Sequence, residues 1–358
     1  MARNSADTII NLIAVIVAVT NDTPRVLIVE QNLSGASGLL PSDIDPLSGS
    51  SHFSLPNGPF EPRHHPSLES GLRSWVAAQT GLDLYYVEQL YTFGNRYRDP
   101  GEIEGGPRVV SIAYIALTHE DAVDKENAHW RDWYSFLPWE DWRSGRPAFM
   151  EEHIKPALAS WVRQAQNQSR RKQRQERVNV TFGQSAASEM DSVLSLERFE
   201  LLYDANLVFE ALRDERAAKR NSAPPLEAAE LTKFDGMGTA LVSDHRRILA
   251  TALGRLRGKL AYRPVVFELL PGEFTLLQLQ RVAEALSGAE MHKQNFRRLV
   301  ANADLVEPIG RTSVVGRGRP AELFRFRREV LGEKLTVGLS RPIMRSSETR
   351  RTRHIRGI

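Results

Sequence analysis

Apolar positions recur along this chain at two spacings, and the change from one to the other divides it. Ile9 to Val19 is apolar but for Asn11, and Arg25 to Glu30 is a second, β-branched run. Asn21-Asp22-Thr23-Pro24 between them is turn chemistry, so the pattern predicts two buried strands joined by a tight turn. Val109 to Leu117 is apolar on both alternating faces except at Ser111, as in a central strand covered on both sides. Over 66–81 the period is helical: Leu68, Leu72, Val76 and Gln79 share a stripe with Trp75 beside it, starting near Pro66-Ser67 and stopping at Gly81. A β-rich sheet with at least one packed helix is therefore expected over residues 8–120.

Beyond residue 120 the helical period takes over. Trp130, Trp133, Trp139 and Trp142 precede a helix expected from about Glu151 to Arg177, with a largely polar run from Gln164 to Glu176. That basic run reads first as a solvated or frayed helix face rather than a binding surface. A second helix is expected from Leu196 to Arg216 on the stripe Leu196, Phe199, Leu202, Val208, Phe209 and Leu212. Asn221-Ser222-Ala223-Pro224-Pro225 reads as a linker. Asp244 is positioned to cap a third helix, to Tyr262, carrying Leu249, Leu253, Leu256 and Leu260. There is no internal repeat.

The last third has a different organisation. Thr275 can cap a helix bearing Leu276, Leu279, Ala283 and Leu286 that ends at Ser287-Gly288. A second helix, from about Met291 to Ala303, puts Phe296, Leu299, Val300 and Ala303 on one face. Its other face is Gln294, Arg297, Arg298 and Ala301, flanked by Lys293 and Asn295. Guanidinium and amide groups of this kind read guanine and adenine edges and grip phosphates. Leu305–Ile309 and Ala321–Phe326 read as two strands around a glycine-rich loop with Arg311, Arg317 and Arg319. Helix, short turn, helix and basic hairpin is the order of a winged helix-turn-helix. A small α/β domain with a solvated basic face is the alternative. Arg341 to Ile358 holds six arginines and one acid, which reads as a tail adding non-specific phosphate affinity or merely solubility.

Charge sharpens that division. The 358 residues carry a formal net charge of +3, which alone argues for no polyanionic partner. Residues 263–358 hold 18 Lys plus Arg against 10 Asp plus Glu, a net +8, leaving 29 against 34, or −5, for residues 1–262. Such asymmetry points to a basic module that meets a polyanion, joined to a part with a different task. At ~100–200 residues per domain, the length fits two or three domains. The absence of cysteine excludes disulfides, thiolate zinc sites and thiol nucleophiles, and fits a reducing, cytoplasmic setting. The apolar run at Ile9–Val19 is shorter than the ~20 residues that span a bilayer, so no membrane partner is expected.

Leu55-Pro56-Asn57-Gly58, a spacer with Glu69, and a helix ending Gln79-Thr80-Gly81-Leu82 resemble the Nudix box, a loop-helix-loop that binds Mg²⁺ and a nucleoside diphosphate. Active Nudix helices supply an Arg-Glu pair and then adjacent glutamates before the final glycine, to hold cations on the pyrophosphate. Here Arg73 is followed by Ser74, Trp75, Val76, Ala77, Ala78 and Gln79, with no acid before Gly81. His64-His65 are adjacent, without the spacing of metal ligands. Hydrolysis by the usual mechanism is not expected, and neither a metal nor another cofactor is implied.

Tyr91-Thr92-Phe93-Gly94, Arg98-Asp99-Pro100 and Val109 to Tyr114 are similar to the ADP-ribose-type Nudix domains of Nudix-related transcriptional regulators of NAD metabolism, the NrtR family. The resemblance continues in Asp244-His245-Arg246 with Ile248-Leu249, in Phe274-Thr275-Leu276 and Leu279-Gln280, and in Asn295-Phe296-Arg297-Arg298. It closes on Gly318-Arg319-Pro320-Ala321 with Leu323 to Phe326. It spans residues 8–120 and 238–330 in order, whereas 120–237 has no counterpart and reads as an insertion.

The resemblance implies an α/β (α+β) chain: a Nudix-like mixed-sheet domain with packed helices at 8–120 and a helical insertion and linker at 121–237. A domain-linking helix at 238–262, a winged helix-turn-helix at 263–335 and a basic tail at 336–358 complete it. It implies a homodimeric repressor of NAD synthesis or salvage genes that binds operator DNA and senses ADP-ribose or a related nucleotide. Effector contacts are then expected at Phe93, Arg96, Arg98, Asp99 and Arg108, and DNA contacts at Lys293, Gln294, Asn295, Arg297, Arg298, Arg311, Arg317 and Arg319. The rival expectations are an active ADP-ribose pyrophosphatase with a nucleic-acid-binding appendage, and a constitutive DNA-binding protein whose Nudix fold only dimerises.

Overall fold

The computed structural model describes residues 8–31, 52–95, 102, 106–120, 123, 125–183, 193–219, 232–260, 265–313 and 320–327. Strands β1 (Thr8–Thr20) and β2 (Thr23–Gln31) form the expected hairpin. Asn21 and Asp22 take φ of 50° and 62°, the left-handed pair that a two-residue turn needs to match strand twist. β1 also runs parallel to β6 (Arg108–Leu117), and β6 is antiparallel to β5 (Tyr86–Phe93). With β3 (His52–Ser54), the sheet order is β3-β2-β1-β6-β5; β4 (Asn57–Pro59) joins β1, and β7 (Ala128–Asp132) joins β2. The sheet thus reaches past residue 120, because β7 pairs Arg25 through Val29 with residues a hundred positions away.

Alternation along β1 divides the core. Leu12, Ala14 and Ile16 point to α1 (Leu68–Thr80) with its Leu72 and Val76. Ile13, Val15 and Val17 point the other way, into a larger core that contains Leu249, Leu253 and Leu256 of α6 (His245–Leu260). Helix α6 is therefore the second cover of the sheet as well as its link to the C-terminal module, and thirteen of its sixteen residues are buried. α1 is delimited as expected: Ser67 and Ser70 form a capping box and Gly81 closes it at φ 77°.

Two expected helices are broken. The stretch from Glu151 to Arg177 is α2 (Lys155–Arg163) and α3 (Gln168–Phe182), because Asn167 turns extended and its side chain caps Arg170 N–H. Arg174 then folds back, 4.2 Å from the Trp161 ring, and donates to the Trp161 carbonyl. The stretch from Leu196 to Arg216 is α4 (Ser195–Asp204) and α5 (Phe209–Lys219). Asn206 is left-handed at φ 55°, and Leu207 N–H reaches the Leu202 carbonyl at 2.8 Å, a Schellman closure with asparagine in glycine's place.

The C-terminal module has α7 (Leu276–Ser287), α8 (Lys293–Ala303) and a small sheet in the order β8-β10-β9, from β8 (Phe274–Thr275), β9 (Val306–Ser313) and β10 (Ala321–Phe326). β9 runs four residues beyond the expected Ile309, and β8 is a third strand that the two-strand expectation omitted. Thr275 and Gln278 form the capping box of α7, and Gly288 ends it at φ 71°. The linker at 221–225, Tyr262 and the tail from Arg341 lie outside the described residues.

The end of α7 is clamped to the rest of the chain. Arg257 of α6 donates to the Leu286 carbonyl at 3.1 Å and pairs with Glu140. Tyr134 donates its hydroxyl to the Ala285 carbonyl at 2.7 Å, and Trp142 N–H donates to the Gly288 carbonyl at 2.7 Å. Burial pushes the pKa of the Tyr134 hydroxyl up to about 12, against the opposing pull of the Arg257 guanidinium, so the hydroxyl stays a donor. A cation and donors at the negative end of α7 satisfy carbonyls that a helix leaves unpaired.

A second junction ties α6 to the sheet edge. Leu55 N–H donates to Nδ1 of the buried His245 at 2.9 Å, and Val242 N–H donates to the Phe53 carbonyl at 3.0 Å. Burial, with Arg213 nearby, lowers the His245 pKa from 6.5 to about 3, so the ring is neutral and its Nδ1 accepts.

These junctions set two expected outcomes. The unfolded chain protonates His245 below pH 6.5 and the folded one does not until about pH 3. Stability supplied by this residue is complete above pH 6.5 and falls by about 2 kcal/mol between pH 6.5 and 5. Denaturant titrations of the chain and of His245→Gln, whose side-chain oxygen can accept the same N–H, should differ by that slope; equal slopes would contradict a buried neutral ring. In Gly288→Ala a methyl overlaps the Glu140 carbonyl oxygen and meets a left-handed backbone. Thermal unfolding should show a loss of more than ~1–2 kcal/mol, the backbone cost alone.

Candidate functional site

The face of α8 expected to meet DNA is open. Phe296 and Val300 are buried, with Leu299 and Ala303 half-buried behind them. Lys293, Gln294, Arg297, Arg298 and Ala301 are exposed and Asn295 is half-buried at the flank. Among the described residues no carboxylate or hydrogen-bond partner holds Lys293, Gln294, Asn295, Arg297 or Arg298. Other cations of the module are engaged: Arg311 pairs with Glu273, Arg325 with Glu307 and Arg327 with Asp304. Arg311 stays exposed at the end of β9, where the hairpin turns. Arg317 and Arg319 lie outside the described residues.

Helix α8 is presented by what lies behind it. Phe267 stacks on Phe326 with centroids 4.2 Å apart, and packs against Phe274, so β8, β10 and the turn before them share one aromatic seam. Gln280 donates to the Met291 carbonyl at 3.1 Å and Glu284 accepts from Met291 N–H at 2.9 Å, fixing the turn between α7 and α8. Arg281 of α7 pairs with Asp22 of the β1–β2 turn at 3.1 Å.

The expected ligand loop leaves β5 and returns on β6. Arg108, exposed at the start of β6, donates to the Gly94 carbonyl at 2.9 Å and so closes the base of that loop. Arg96, Arg98 and Asp99 lie outside the described residues. Phe93 is 4% exposed in the core facing α6, with Tyr91 edge-on at 5.1 Å and the Arg247 guanidinium 5.3 Å above its ring. Arg255 donates to the Leu90 carbonyl at 3.3 Å, and Lys259 pairs with Glu88. Strand β5 is thus wired to α6 at Phe93, Leu90 and Glu88. Sequence periodicity gave no sign of this wiring, since Arg247, Arg255 and Lys259 read as ordinary polar residues of an amphipathic helix.

Beside β1, strand β4 is locked to α1. Asn57 N–H donates to Gln79 Oε1 at 3.0 Å and Gln79 Nε2 donates back to the Asn57 carbonyl at 2.7 Å. The Trp75 indole donates to the Pro59 carbonyl at 2.9 Å and lies so close over Gly58 that a Cβ there would overlap it. Glu69 is engaged by Arg73 at 2.7 Å, and His65 accepts from Glu61 N–H at 3.0 Å. Among the described residues no three His, Asp or Glu converge as a metal site would require.

Residues 266–326 match the NrtR DNA-binding winged helix domain. The ADPR responsive transcriptional repressor NtrR of Acinetobacter baylyi is 36% identical over 86 residues, 24% of this chain and 34% of that one. The chain thus matches about a third of the length of that curated relative. In fold it is similar to Shewanella oneidensis NrtR complexed with a 27mer DNA, at 20% identity and a TM-score of 0.51, covering 92% of this chain and 98% of that one. The same protein without DNA aligns with 89% of this chain and 94% of its own at a TM-score of 0.50, again at 20% identity. The chain thus carries a segment at 266–326 that matches the NrtR winged helix, in an α/β fold similar to that of Shewanella oneidensis NrtR.

Proposed function

We propose that the chain is a metabolite-responsive transcriptional repressor of NAD synthesis or salvage genes, acting as a homodimer in the cytoplasm on a pseudo-palindromic operator. The observation that carries this reading is the cluster on α8: exposed Lys293, Gln294, Arg297 and Arg298, without partners among the described residues, on a helix whose other face is buried. Arg and Gln of this kind hydrogen-bond base edges, and Lys and Arg neutralise phosphates. Lys293, Gln294, Asn295, Arg297 and Arg298 would lie in the groove, with Arg311, Arg317 and Arg319 on the wing. The Acinetobacter relative is an ADPR responsive repressor, which supports a DNA reader governed by ADP-ribose.

The effector, ADP-ribose or a related nucleotide, would sit at the loop between β5 and β6. Arg96, Arg98 and Arg108 would pair with pyrophosphate oxygens and Asp99 would accept from a ribose hydroxyl. Phe93, beneath that loop, would join the adenine end only by moving from under Arg247. A ligand changes DNA affinity only through a different affinity for the two arrangements of the protein. The three contacts between β5 and α6 offer a route, because α6 also holds the end of α7.

Catalysis is not part of this reading. Trp75 and Gln79 occupy the helix where an active Nudix box has carboxylates, and both are spent in locking the residues from Asn57 to Pro59. The residues present do not fit a Mg²⁺ cluster.

The experiment is a gel-shift titration on an operator selected by the full chain from a randomised duplex pool, at fixed salt, with and without ADP-ribose. Arg297→Ala or Arg298→Ala should weaken binding by about 1–3 kcal/mol where the side chain reads a base edge. ADP-ribose should change the parent's affinity. Undiminished binding by both variants removes α8 as the reader, and turnover of ADP-ribose with Mg²⁺ removes the non-catalytic reading.

A further inference from the structure

We infer that α3 is a second DNA-contacting element, which grips duplex phosphates outside the bases that α8 would read. The inference rests on the operator-binding reading and concerns a helix that the reading leaves unused. The first ten residues of α3, Gln168 to Arg177, hold Arg170, Arg171, Lys172, Arg174 and Arg177 against the single acid Glu176, with no apolar side chain. Arg174 is spent on Trp161 and Arg177 on Asp204. Arg170 and Arg171 are exposed, and their guanidinium groups have no partner among the described residues. Lys172 is 79% exposed and only 3.9 Å from Glu176, a loose pair.

The position of these cations argues against a face that is merely solvated. They occupy the opening turns of the helix, where no acid precedes them and where the peptide dipoles favour negative charge. Helix stability alone would place acids there and leave arginines for the other end. The far end is anchored by buried Thr181 and Phe182, so the free cations are displayed from a fixed helix.

The chemistry selects the partner. A helix that lies on a membrane needs an apolar face opposite its basic one. In α3 Phe182 is buried inside the protein and Val180 is the one exposed large hydrophobic side chain, so no such face is presented. Three cations with no apolar companions gain most from a regular array of phosphates. Contacts of this type carry no sequence information, so they would strengthen operator and unrelated duplex alike.

The test uses the full chain and Arg170→Gln/Arg171→Gln/Lys172→Gln, with the selected operator and an unrelated duplex of about 40 base pairs, over 50–200 mM salt. Removing three phosphate contacts should flatten the slope of log K against log salt by about 2–3, so that the parent loses about 40-fold more affinity than the variant over that range. The effect should be equal on both duplexes, and the thermal midpoint should not fall. An unchanged slope overturns the inference, as does a loss confined to the operator. Variant-sensitive binding to phosphatidylserine vesicles or single-stranded RNA that exceeds duplex binding also overturns it. If Arg297→Ala/Arg298→Ala binds operator normally while the α3 variant flattens the slope, the winged-helix reading fails and this one stands; the reverse result separates them the other way.

Discussion

The arrangement depends most on one buried carboxylate. Glu140 is 1% exposed, pairs with Arg257 of α6 and lies 3.5 Å from Arg198 of α4. Its backbone carbonyl also accepts from Arg257 at 2.9 Å and sits against Gly288 at the end of α7. Burying these charges is costly, and they repay it only because nearly every donor is used. Arg257 serves two chain segments at once, the Glu140 turn and the α7 carbonyl of Leu286. A network of this kind defines a single relative placement of α4, α6 and α7, because any displacement strands a charge away from water.

This makes α6 something other than a linker. Its apolar side closes the sheet opposite α1, while its polar residues reach outward in sequence: His245 to Leu55, Arg247 to Phe93, Arg255 to Leu90, Lys259 to Glu88, and Arg257 to α7. Sheet and winged helix therefore do not meet as two beads on a string. A rearrangement of β5 must be accommodated by α6, and a displaced α6 must either carry α7 along or break the Glu140 network. Coupling between a ligand loop and a DNA-reading helix needs such an element, whose position both ends can bias.

Much of this was legible in sequence wherever the code is local. Ser67 and Gly81, Thr275 and Gly288, and Asn21-Asp22 marked the ends of their elements because caps and turns depend on residues a few positions apart. The α8 faces followed from a 100° step. The breaks at Asn167 and Asn206 were not legible, since an asparagine that caps or turns left-handed looks, in a polar stretch, like one on a helix surface. β7 was missed because its partner is β2, far away in the chain, and its alternation includes Trp130, which also suits a helix. Phe93 was expected at the ligand from its motif, and its burial with Arg247 above the ring is a packing that a local motif does not reveal.

The same distinction changes what the charge arithmetic means. A net +3 counts every guanidinium equally, yet Arg198, Arg213, Arg246 and Arg257 are buried against Glu140, Asp214 and Glu210 and present no field to a partner. Much of the acidity of the first 262 residues is likewise consumed internally, by Glu88 on Lys259, Glu200 on Arg247 and Glu69 on Arg73. Cations on α8 and at the start of α3, by contrast, face solvent without a close partner among the described residues. A polyanion is met by free charges at fixed spacing, and here the buried pairs do the fixing. The buried pairs around Arg257 place α6 and the end of α7, and α7 in turn fixes the turn into α8 through Gln280 and Glu284, so the helix that carries Arg297 and Arg298 is positioned by charges that are themselves hidden.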